Sequence, residues 1–217
     1  IFMNSTTKKI TTISMLCAIA YVAVLVGRIP LVLFLKYDPK DIMIAMGGFI
    51  FGPVTALFMS VIVSVLEMCT ISGTGPIGCV MNIISTCSFA CTASFVYQKR
   101  RTLSGAVMGL GFGCVSMITI MLLWNYLITP IYMGYPREQV VKLLLPVFLP
   151  FNMVKSGLNA SFLMLLYKPV ISVLRRSHLI EPAQTTQQTQ IHIGIRLAAI
   201  LVVITCILYI LSCNGII

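Results

Sequence analysis

IMIAMGGFIFGPVTALFMSVIVSVL, residues 42–66, is the stretch of sequence that decides the fold. It is predominantly apolar and longer than the roughly 20 residues that one upright membrane helix needs. Glycine and proline stand side by side at Gly52-Pro53, and proline fits the first turn of a helix but not its interior. The stretch therefore predicts a short helix, a tight turn at Gly52-Pro53 and a second helix that ends near Glu67.

The composition of the whole chain points to the same environment. Hydrophobic residues make up 59% of the sequence, charged residues only 9%, and the mean hydropathy is +1.02. A soluble domain carries about a quarter charged residues, so this chain needs lipid as its solvent. Its apolar runs are long and uninterrupted, whereas a β-barrel shows alternating segments of roughly ten residues. We predict an all-α, polytopic integral membrane helical bundle.

Seven membrane spans are predicted, and they divide the chain into three parts. Besides the two helices of residues 42–66, the apolar runs are residues 10–26, 77–96, 105–128, 149–166 and 193–211. A polar connection follows the first span at residues 28–41, and a short helix is predicted at residues 137–145. The predicted parts are a six-helix membrane domain at residues 1–176, a polar linker at residues 177–192 and an additional transmembrane helix at residues 193–217.

The net charge of +10 reflects membrane topology rather than nucleic-acid binding, because the basic residues sit at the ends of apolar runs. With the N-terminus inside, the inner side receives Lys8, Lys9, Lys99, Arg100, Arg101, Lys168, Arg175, Arg176 and Arg196. The outer side receives Arg28, Lys36, Lys40, Arg137 and Lys142. The inner excess predicts a cytoplasmic N-terminus, and the seventh span would then place the C-terminus outside.

Several classes of chemistry are not supported by the sequence. The eight cysteines lack metal-ligand spacing, no P-loop motif occurs, and no nucleophile–base set is visible. The segment 73–78 matches the letters GxGxxG, but apolar helices flank it and Pro76 lacks a backbone donor, so we interpret it as a turn. We therefore expect no catalytic residues, no metal and no resident cofactor, and we expect that the protein is not an enzyme.

Small residues recur at every fourth position on two spans, where they let a second helix approach closely. They are Gly105, Gly109 and Gly113 on the fifth span, and the pairs Ser14/Ala18 and Ala23/Gly27 on the first. Packing inside the bundle is the favoured interpretation of such patterns over contact with another subunit. The first span is the better candidate for a partner contact.

Polar residues near the outer ends of two spans are the candidate site. Asn125 lies about one turn inside the end of the fifth span, and Asn152 and Lys155 lie in the first two turns of the sixth. Because these spans are antiparallel, the three side chains reach similar depth, and Asn159 continues the same face. Unpaired polar groups in hydrocarbon cost several kcal/mol, which suggests a shared polar pocket. Snorkelling of Lys155 and helix–helix hydrogen bonds by Asn125 and Asn159 are the alternatives.

The donor and acceptor pattern of this set fits a flat heterocycle edged with carbonyls, ring nitrogens and an imide N–H. Each asparagine amide donates and accepts, whereas lysine only donates. Apolar residues suited to flank such a ring are Leu35, Phe151 and Met153. The connection at residues 28–41 is the natural lid, with a plain linker as the alternative.

Four segments carry a resemblance to a known family. They are LKYDPKDI at residues 35–42, GGFIFGP at 47–53, WNY at 124–126 and PFNMVK at 150–155. Over residues 14–176 the chain resembles the riboflavin-binding S components of energy-coupling-factor (ECF) transporters. The resemblance implies six core helices, a flavin pocket on the extracellular side, and partnership with a membrane-embedded T component and two cytoplasmic ABC ATPases in the bacterial plasma membrane.

The resemblance also implies roles for individual residues. Asn125, Asn152 and Lys155 would hydrogen-bond the isoalloxazine ring, while the first loop would contribute Leu35, Lys36, Tyr37 and Asp38. The same loop would gate the pocket, with Arg28, Pro30, Pro39 and Lys40 as gating residues. Two features depart from the family pattern: its usual Ala-x-x-x-Ala patch is absent from the first span, and the run after residue 192 lies outside the six-helix core.

The leading functional hypothesis is therefore capture of riboflavin for ATP-driven import, and two alternatives stay open. The same fold would suit FMN or another vitamin if a phosphate met a basic cluster formed by Lys36, Lys40, Arg137 and Lys142. A self-sufficient secondary transporter is the other alternative. Such carriers commonly have ionisable groups at the membrane midplane and internal repeats, and neither is evident in this sequence.

Overall fold

Helices dominate the structure, a computed structural model that describes residues 5–32, 35–71, 73, 75–134, 136–177, 179, 199–200 and 202–207. In chain order the elements are α1 (Ser5–Gly27), β1 (Ile29–Val32), β2 (Leu35–Tyr37), α2 (Lys40–Phe51), α3 (Pro53–Thr70), α4 (Gly75–Lys99), α5 (Leu103–Met133), α6 (Arg137–Leu143), a π-helical turn (Leu144–Phe148) and α7 (Leu149–Arg176).

The helical membrane architecture that the sequence predicted is confirmed. Among the described residues, five helical stretches are long and apolar enough to cross a membrane: Thr6–Gly27, Pro53–Thr70, Gly75–Lys99, Leu103–Ile131 and Arg137–Leu174. The sixth core helix, α2, has only 12 residues, about 18 Å at 1.5 Å per residue. The core thus consists of five spanning stretches and one short helix packed among them.

The break between α2 and α3 falls where the sequence placed it. Gly52 has a φ of 108°, a backbone conformation that favours glycine, and its N–H donates to the carbonyl of Gly48 to close α2. A Cβ at Gly52 would also lie 2.8 Å from the amide nitrogen of Gln98. Pro53 then opens α3 in the first turn, where its missing N–H is not needed.

Helices α4 and α5 approach closely because α5 presents glycines to α4. A Cβ at Gly109 would lie 2.6 Å from the carbonyl oxygen of Ala93, and one at Gly113 would lie 2.8 Å from that of Phe89. Gly105 instead meets the backbone of Arg100 in the connection between α4 and α5. Packing inside the bundle, the favoured interpretation of this glycine repeat, is therefore confirmed.

Replacing Gly109 with leucine is expected to destabilise the bundle by about 1–3 kcal/mol, because the new side chain has no room against α4. The measurement is the thermal unfolding midpoint of detergent-purified protein. Gly111→Leu is the matched control, since Gly111 is exposed on the same helix and a Cβ there would meet nothing within 4 Å. Equal midpoints for the two variants would contradict this account of the α4–α5 contact.

The small residues of α1 divide between two environments. Ser14 and Ala18 are exposed on the outer face of the bundle, so a partner contact there stays a prediction. Ala23 is half-buried. Gly27 instead serves an internal contact, because a Cβ at this position would lie 3.0 Å from the ring of Pro39 at the start of α2.

The first connection differs from the prediction of an all-helical chain with a polar loop. Strands β1 and β2 form an antiparallel hairpin in which Ile29 pairs with Tyr37 and Pro30 pairs with Lys36. Leu35 and Tyr37 are buried while Lys36 is exposed, the alternation expected of a strand with one covered face. This alternation covers only three residues, and the neighbouring prolines and charges obscured it in the sequence.

The predicted linker and seventh span lie largely outside the described residues. Within that region, residues 199–200 and 202–207 are helical. They pack beside α7, since a Cβ at Gly157 would lie 3.7 Å from Val202 and 3.8 Å from the sulfur of Cys206. The division into a membrane domain, a linker and an added transmembrane helix stays a prediction.

Candidate ligand-binding site

A cleft opens at the end of the bundle that carries the hairpin, which we call the hairpin end. The hairpin and its flanks, the α3–α4 turn, α4, α5 and α7 all contribute to its wall. The lining residues are Arg28, Leu35, Lys36, Asp38, Gly73, Met81, Asn82, Ser85, Met121, Phe151, Asn152 and Lys155.

Most of the ligand-binding residues predicted from the sequence meet in this cleft. Those that line it are Leu35, Lys36, Asp38, Asn152 and Lys155. Phe151, predicted as an apolar flank, lines it too, whereas Met153 is exposed and points elsewhere. Tyr37 is not part of the lining, and it packs in an apolar cluster with Phe148 and Leu158.

Asn125 has no place in the cleft wall in this structure. Its amide nitrogen donates to the carbonyl of Met121 at 2.7 Å, and its amide oxygen accepts from the hydroxyl of Thr129 at 2.9 Å. Both ends of the amide are therefore satisfied within α5. Met121, one turn earlier, lines the cleft instead, and the role of Asn125 in ligand binding stays a prediction.

Lys155 is buried and does not snorkel to the surface, since only 4% of it is exposed. Its ammonium nitrogen lies 3.2 Å from the hydroxyl of Ser85 and 3.4 Å from a carboxylate oxygen of Asp41. Asp41 is fully buried and also accepts from Thr86 at 2.6 Å and from Asn159 at 3.0 Å. Asn159 thus makes the helix–helix hydrogen bond that was its alternative interpretation, joining α7 to α2.

A second buried carboxylate, Glu67 in the last turn of α3, joins the residues around the hairpin. It accepts from the guanidinium of Arg28, from the ammonium of Lys40 and from the amide of Asn82, the last at 3.1 Å. Lys40 is fully buried, so this predicted gating residue is an internal ion-pair partner rather than part of an exposed loop. Arg28 also donates to Asp38 at 2.7 Å.

The charges around the cleft compensate one another. The cationic groups are Arg28, Lys40 and Lys155, and the anionic groups are Asp38, Asp41 and Glu67. Charges taken out of water need such partners, because desolvation is expensive. Among the described residues, no group of three His, Cys, Asp or Glu side chains is arranged to hold a metal ion.

The ion pair at the hairpin's base has consequences for acid stability. Burial alone raises the pKa of Asp38, but Lys40, Lys155 and the hydrogen-bonded Arg28 outweigh it and hold that pKa below its usual range. The pKa of Arg28 is lowered by burial and raised more strongly by Asp38 and Glu67, so it remains charged. A lowered carboxyl pKa stabilises the fold above the unfolded-state value, about pH 4, and this contribution disappears as pH falls through the folded-state pKa.

Asp38→Asn is therefore expected to destabilise the protein by about 1–3 kcal/mol, with the same loss throughout the range from about pH 5 to pH 8. Below about pH 4 the difference from wild type should shrink, because wild-type Asp38 becomes protonated as well. The measurement is the unfolding midpoint of both proteins as a function of pH. A difference that already shrinks between pH 7 and pH 5 would contradict the lowered pKa.

One buried acceptor in the cleft wall is unused. The amide oxygen of Asn152 has no hydrogen-bond partner among the described residues, although only 1% of the residue is exposed. Its amide nitrogen donates to the carbonyl of Phe148 at 2.7 Å, at the end of the π-helical turn. Buried acceptors are rarely left unsatisfied, and this oxygen is available to an N–H donor in the cleft.

Sequence reasoning missed the polar residues that hold the site together: Asp41, Glu67, Asn82, Ser85 and Thr86. A signal was present, since acidic residues at the ends of apolar runs are expensive and commonly functional. Their partners lie far away in sequence, and Asp41 and Asn159 are 118 positions apart. Only the three-dimensional structure therefore shows which of these polar residues contact one another.

An apolar helical bundle with a charge-balanced polar cleft beneath a hairpin is a membrane-embedded protein that binds small molecules. The family model described as "ECF transporter, substrate-specific component" matches residues 8–167. The chain therefore belongs to the family of substrate-specific components, or S components, of ECF transporters, and it is a multi-pass membrane protein.

Individual relatives match this chain over most of their own length. The chain is 26% identical to "Riboflavin transporter RibU" of Staphylococcus aureus (strain TCH60), covering 78% of this chain and 93% of the relative. It is 28% identical to "Riboflavin transporter FmnP" of Bacillus subtilis (strain 168), covering 79% and 98%. A solved structure of the S component of a bacterial ECF transporter matches with a TM-score of 0.68 and 27% identity, covering 79% of this chain and 99% of that one.

Proposed function

We propose that the protein captures riboflavin in the hairpin-end cleft and delivers it across the membrane as the S component of an ATP-driven ECF importer. One observation carries the assignment of the site: the donor Lys155 and the unsatisfied acceptor Asn152 stand in the same buried wall, one helical turn apart on α7. The names of the two relatives support riboflavin as the ligand.

The edge of an isoalloxazine ring matches this pair of groups. Its imide N–H is a donor for the amide oxygen of Asn152, and its carbonyl and ring-nitrogen acceptors suit the ammonium of Lys155. Leu35, Met121 and Phe151 supply apolar surface for the faces of the ring. A few polar groups that fix orientation between apolar walls are the usual composition of a ligand pocket.

The balance of charge favours riboflavin over FMN. Riboflavin is neutral near pH 7, whereas a phosphate monoester carries about −1.5 to −2. The cations Arg28 and Lys155 in the cleft wall are each paired with a carboxylate. Lys36 has no ion pair among the described residues, but it is exposed. A phosphate would thus have to compete for paired cations, at a cost in affinity.

The experiment for the ligand is a titration of detergent-purified, flavin-free protein with riboflavin, followed by quenching of flavin fluorescence. Riboflavin should bind and should be displaced only by an excess of FMN. Tighter binding of FMN would transfer the assignment to a phosphorylated flavin. Absence of flavin binding, together with a colourless protein as purified, would overturn the proposed function.

The family supports the proposed partners, and the placement of basic residues supports the proposed orientation in the membrane. We infer association with a T component and two cytoplasmic ABC ATPases, which would supply the energy of transport. The bacterial plasma membrane is the proposed location, with the N-terminus in the cytoplasm and the hairpin end outside. Lys99 at the end of α4 and the adjoining Arg100 and Arg101 support this orientation through the positive-inside pattern.

The proposed role is transport rather than catalysis, and riboflavin is cargo rather than a cofactor. Energy coupling can be tested in vesicles that contain this protein with or without the ATPases and T component. Riboflavin should accumulate only with the complete set of subunits and ATP. Accumulation by this chain alone, driven by an ion gradient, would favour a self-sufficient secondary transporter.

A further inference from the structure

Glu67 collects partners from three other parts of the fold. It lies fully buried in the last turn of α3. Arg28 reaches it from the junction of α1 and β1, Lys40 from the first residue of α2, and Asn82 from α4. A single carboxylate therefore connects both flanks of the hairpin to the body of the bundle.

These partners lie at the two ends of the hairpin. Arg28 immediately precedes β1 and Asp38 immediately follows β2, and their 2.7 Å ion pair closes the hairpin at its base. Lys40 stands two residues beyond Asp38. Since Arg28 and Lys40 both bind Glu67, the base of the hairpin is fixed to α3 from both sides.

The hairpin also has an apolar attachment to the bundle. The side chains of Leu35 and Tyr37 pack against Phe148, Phe151 and Leu158, which belong to the α7 side of the bundle. That contact is apolar and lies under the second strand, whereas the Glu67 contacts are ionic and lie at the base. Loss of the ionic attachment would remove the contacts of Arg28 and Lys40 with α3, while the apolar contact under the second strand would remain.

Glu67 is absent from the cleft lining, yet Arg28, Asp38 and Asn82 line it. Each of these three either binds Glu67 or binds Arg28, which does. The effect of Glu67 on a bound molecule is therefore exerted through the position of its neighbours. This is the arrangement of a positioning residue.

We propose that Glu67 is the anchor of the hairpin, a positioning residue that holds β1 and β2 over the cleft and so slows the escape of the bound flavin. The ligand part of this inference rests on the proposed function. The anchoring part concerns the protein without ligand and can be measured independently.

The test compares Glu67→Gln with wild type by hydrogen–deuterium exchange and by the riboflavin dissociation rate. Glutamine keeps the shape of the side chain but removes the charge that binds Arg28 and Lys40. Exchange of the backbone amides of β1 and β2 should rise about tenfold or more, because local opening becomes easier there. Riboflavin should dissociate about tenfold faster, which is a change in retention rather than in the groups that contact the ring.

Ser64→Ala is the matched control, because Ser64 is a buried residue one turn earlier on α3 whose hydroxyl has no hydrogen-bond partner among the described residues. It should leave both hairpin exchange and riboflavin dissociation unchanged. If Glu67→Gln does not fold, Glu67→Gln combined with Lys40→Met removes one charge of each sign, and the same rise in hairpin exchange is expected from it.

Two outcomes would overturn the role of Glu67 as the anchor, and a third would overturn the ligand assignment independently of it. Unchanged hairpin exchange in both Glu67 variants would overturn the anchor. Exchange that rises equally in the hairpin, α3 and α4 would also overturn it, because Glu67 would then be a general structural residue. A wild-type protein that binds no riboflavin would overturn the proposed function, while hairpin exchange would still decide whether Glu67 is the anchor.

Discussion

Replacing Lys155 with methionine is expected to weaken riboflavin binding by about 5- to 150-fold, the range that corresponds to loss of one buried hydrogen-bonding partner. The ammonium lines the cleft and is held in place by Ser85 and Asp41. Methionine keeps most of the side-chain length and removes the donor. Affinity is measured by quenching of flavin fluorescence on purified protein.

The same substitution should also destabilise the unliganded protein, by about 3–5 kcal/mol, because it leaves the Asp41 carboxylate buried without its cation. Lys155→Met combined with Asp41→Asn removes this imbalance. The amide that replaces the carboxylate in that variant can still pair with Thr86 and Asn159, the present partners of Asp41. Stability should therefore recover in the double variant while riboflavin affinity stays low.

Recovery of affinity in the double variant would contradict a direct role for Lys155, since it would show that binding had been lost only through misfolding. Lys142→Met is the control for the substitution itself. Lys142 is exposed on α6 and does not line the cleft. Its replacement should alter neither affinity nor the unfolding midpoint.

The parts of the structure that could be predicted from the sequence are those set by local rules. The break at Gly52-Pro53 follows from the backbone preferences of two neighbouring residues. Asn152 and Lys155 share a face because they are three residues apart on one helix. Gly109 and Gly113 indicated a close helix contact in the same way.

The features that the sequence did not predict depend on how a helix is rotated about its axis and on partners that are distant in sequence. Asn125 was predicted at the depth of Asn152 and Lys155, but depth does not define which way a helix face turns, and its amide is satisfied within α5. The ion pairs of Glu67 join residues that are up to 39 positions apart. A single sequence does not show which charges will meet, so Asp41 and Glu67 were not assigned to the site.

The buried charges explain how a site so rich in polar groups is tolerated at the end of a membrane bundle. The cations Arg28, Lys40 and Lys155 each have a carboxylate partner. Hydrogen bonds from other polar side chains occupy further carboxylate oxygen positions, and their donors are Asn82, Thr86 and Asn159. Such networks are stable only when their members are satisfied. Among the described residues, two buried amide oxygens have no partner, that of Asn159 inside the network and that of Asn152 in the cleft wall. Substitution of Asn152 removes the second of these and should therefore separate stability from binding.

Asn152→Leu is expected to weaken riboflavin binding by about 5- to 150-fold while leaving the unliganded protein as stable as wild type or more stable. The affinity falls because the imide N–H of the ring loses its acceptor. Stability is maintained because leucine removes a buried oxygen that has no partner, which offsets the lost hydrogen bond to Phe148. Both quantities are measured on the same preparation, by fluorescence titration and by thermal unfolding without flavin.

Asn125→Leu provides the comparison, because this asparagine is equally buried but both ends of its amide are bonded to Met121 and Thr129. Its replacement should lower the unfolding midpoint, the opposite of the effect at Asn152. If Asn152→Leu proves as destabilising as Asn125→Leu, the Asn152 oxygen accepts a hydrogen bond within the protein and is not available to a ligand. If Asn152→Leu binds riboflavin as tightly as wild type, the ring does not use this acceptor, and the orientation proposed for the flavin is wrong.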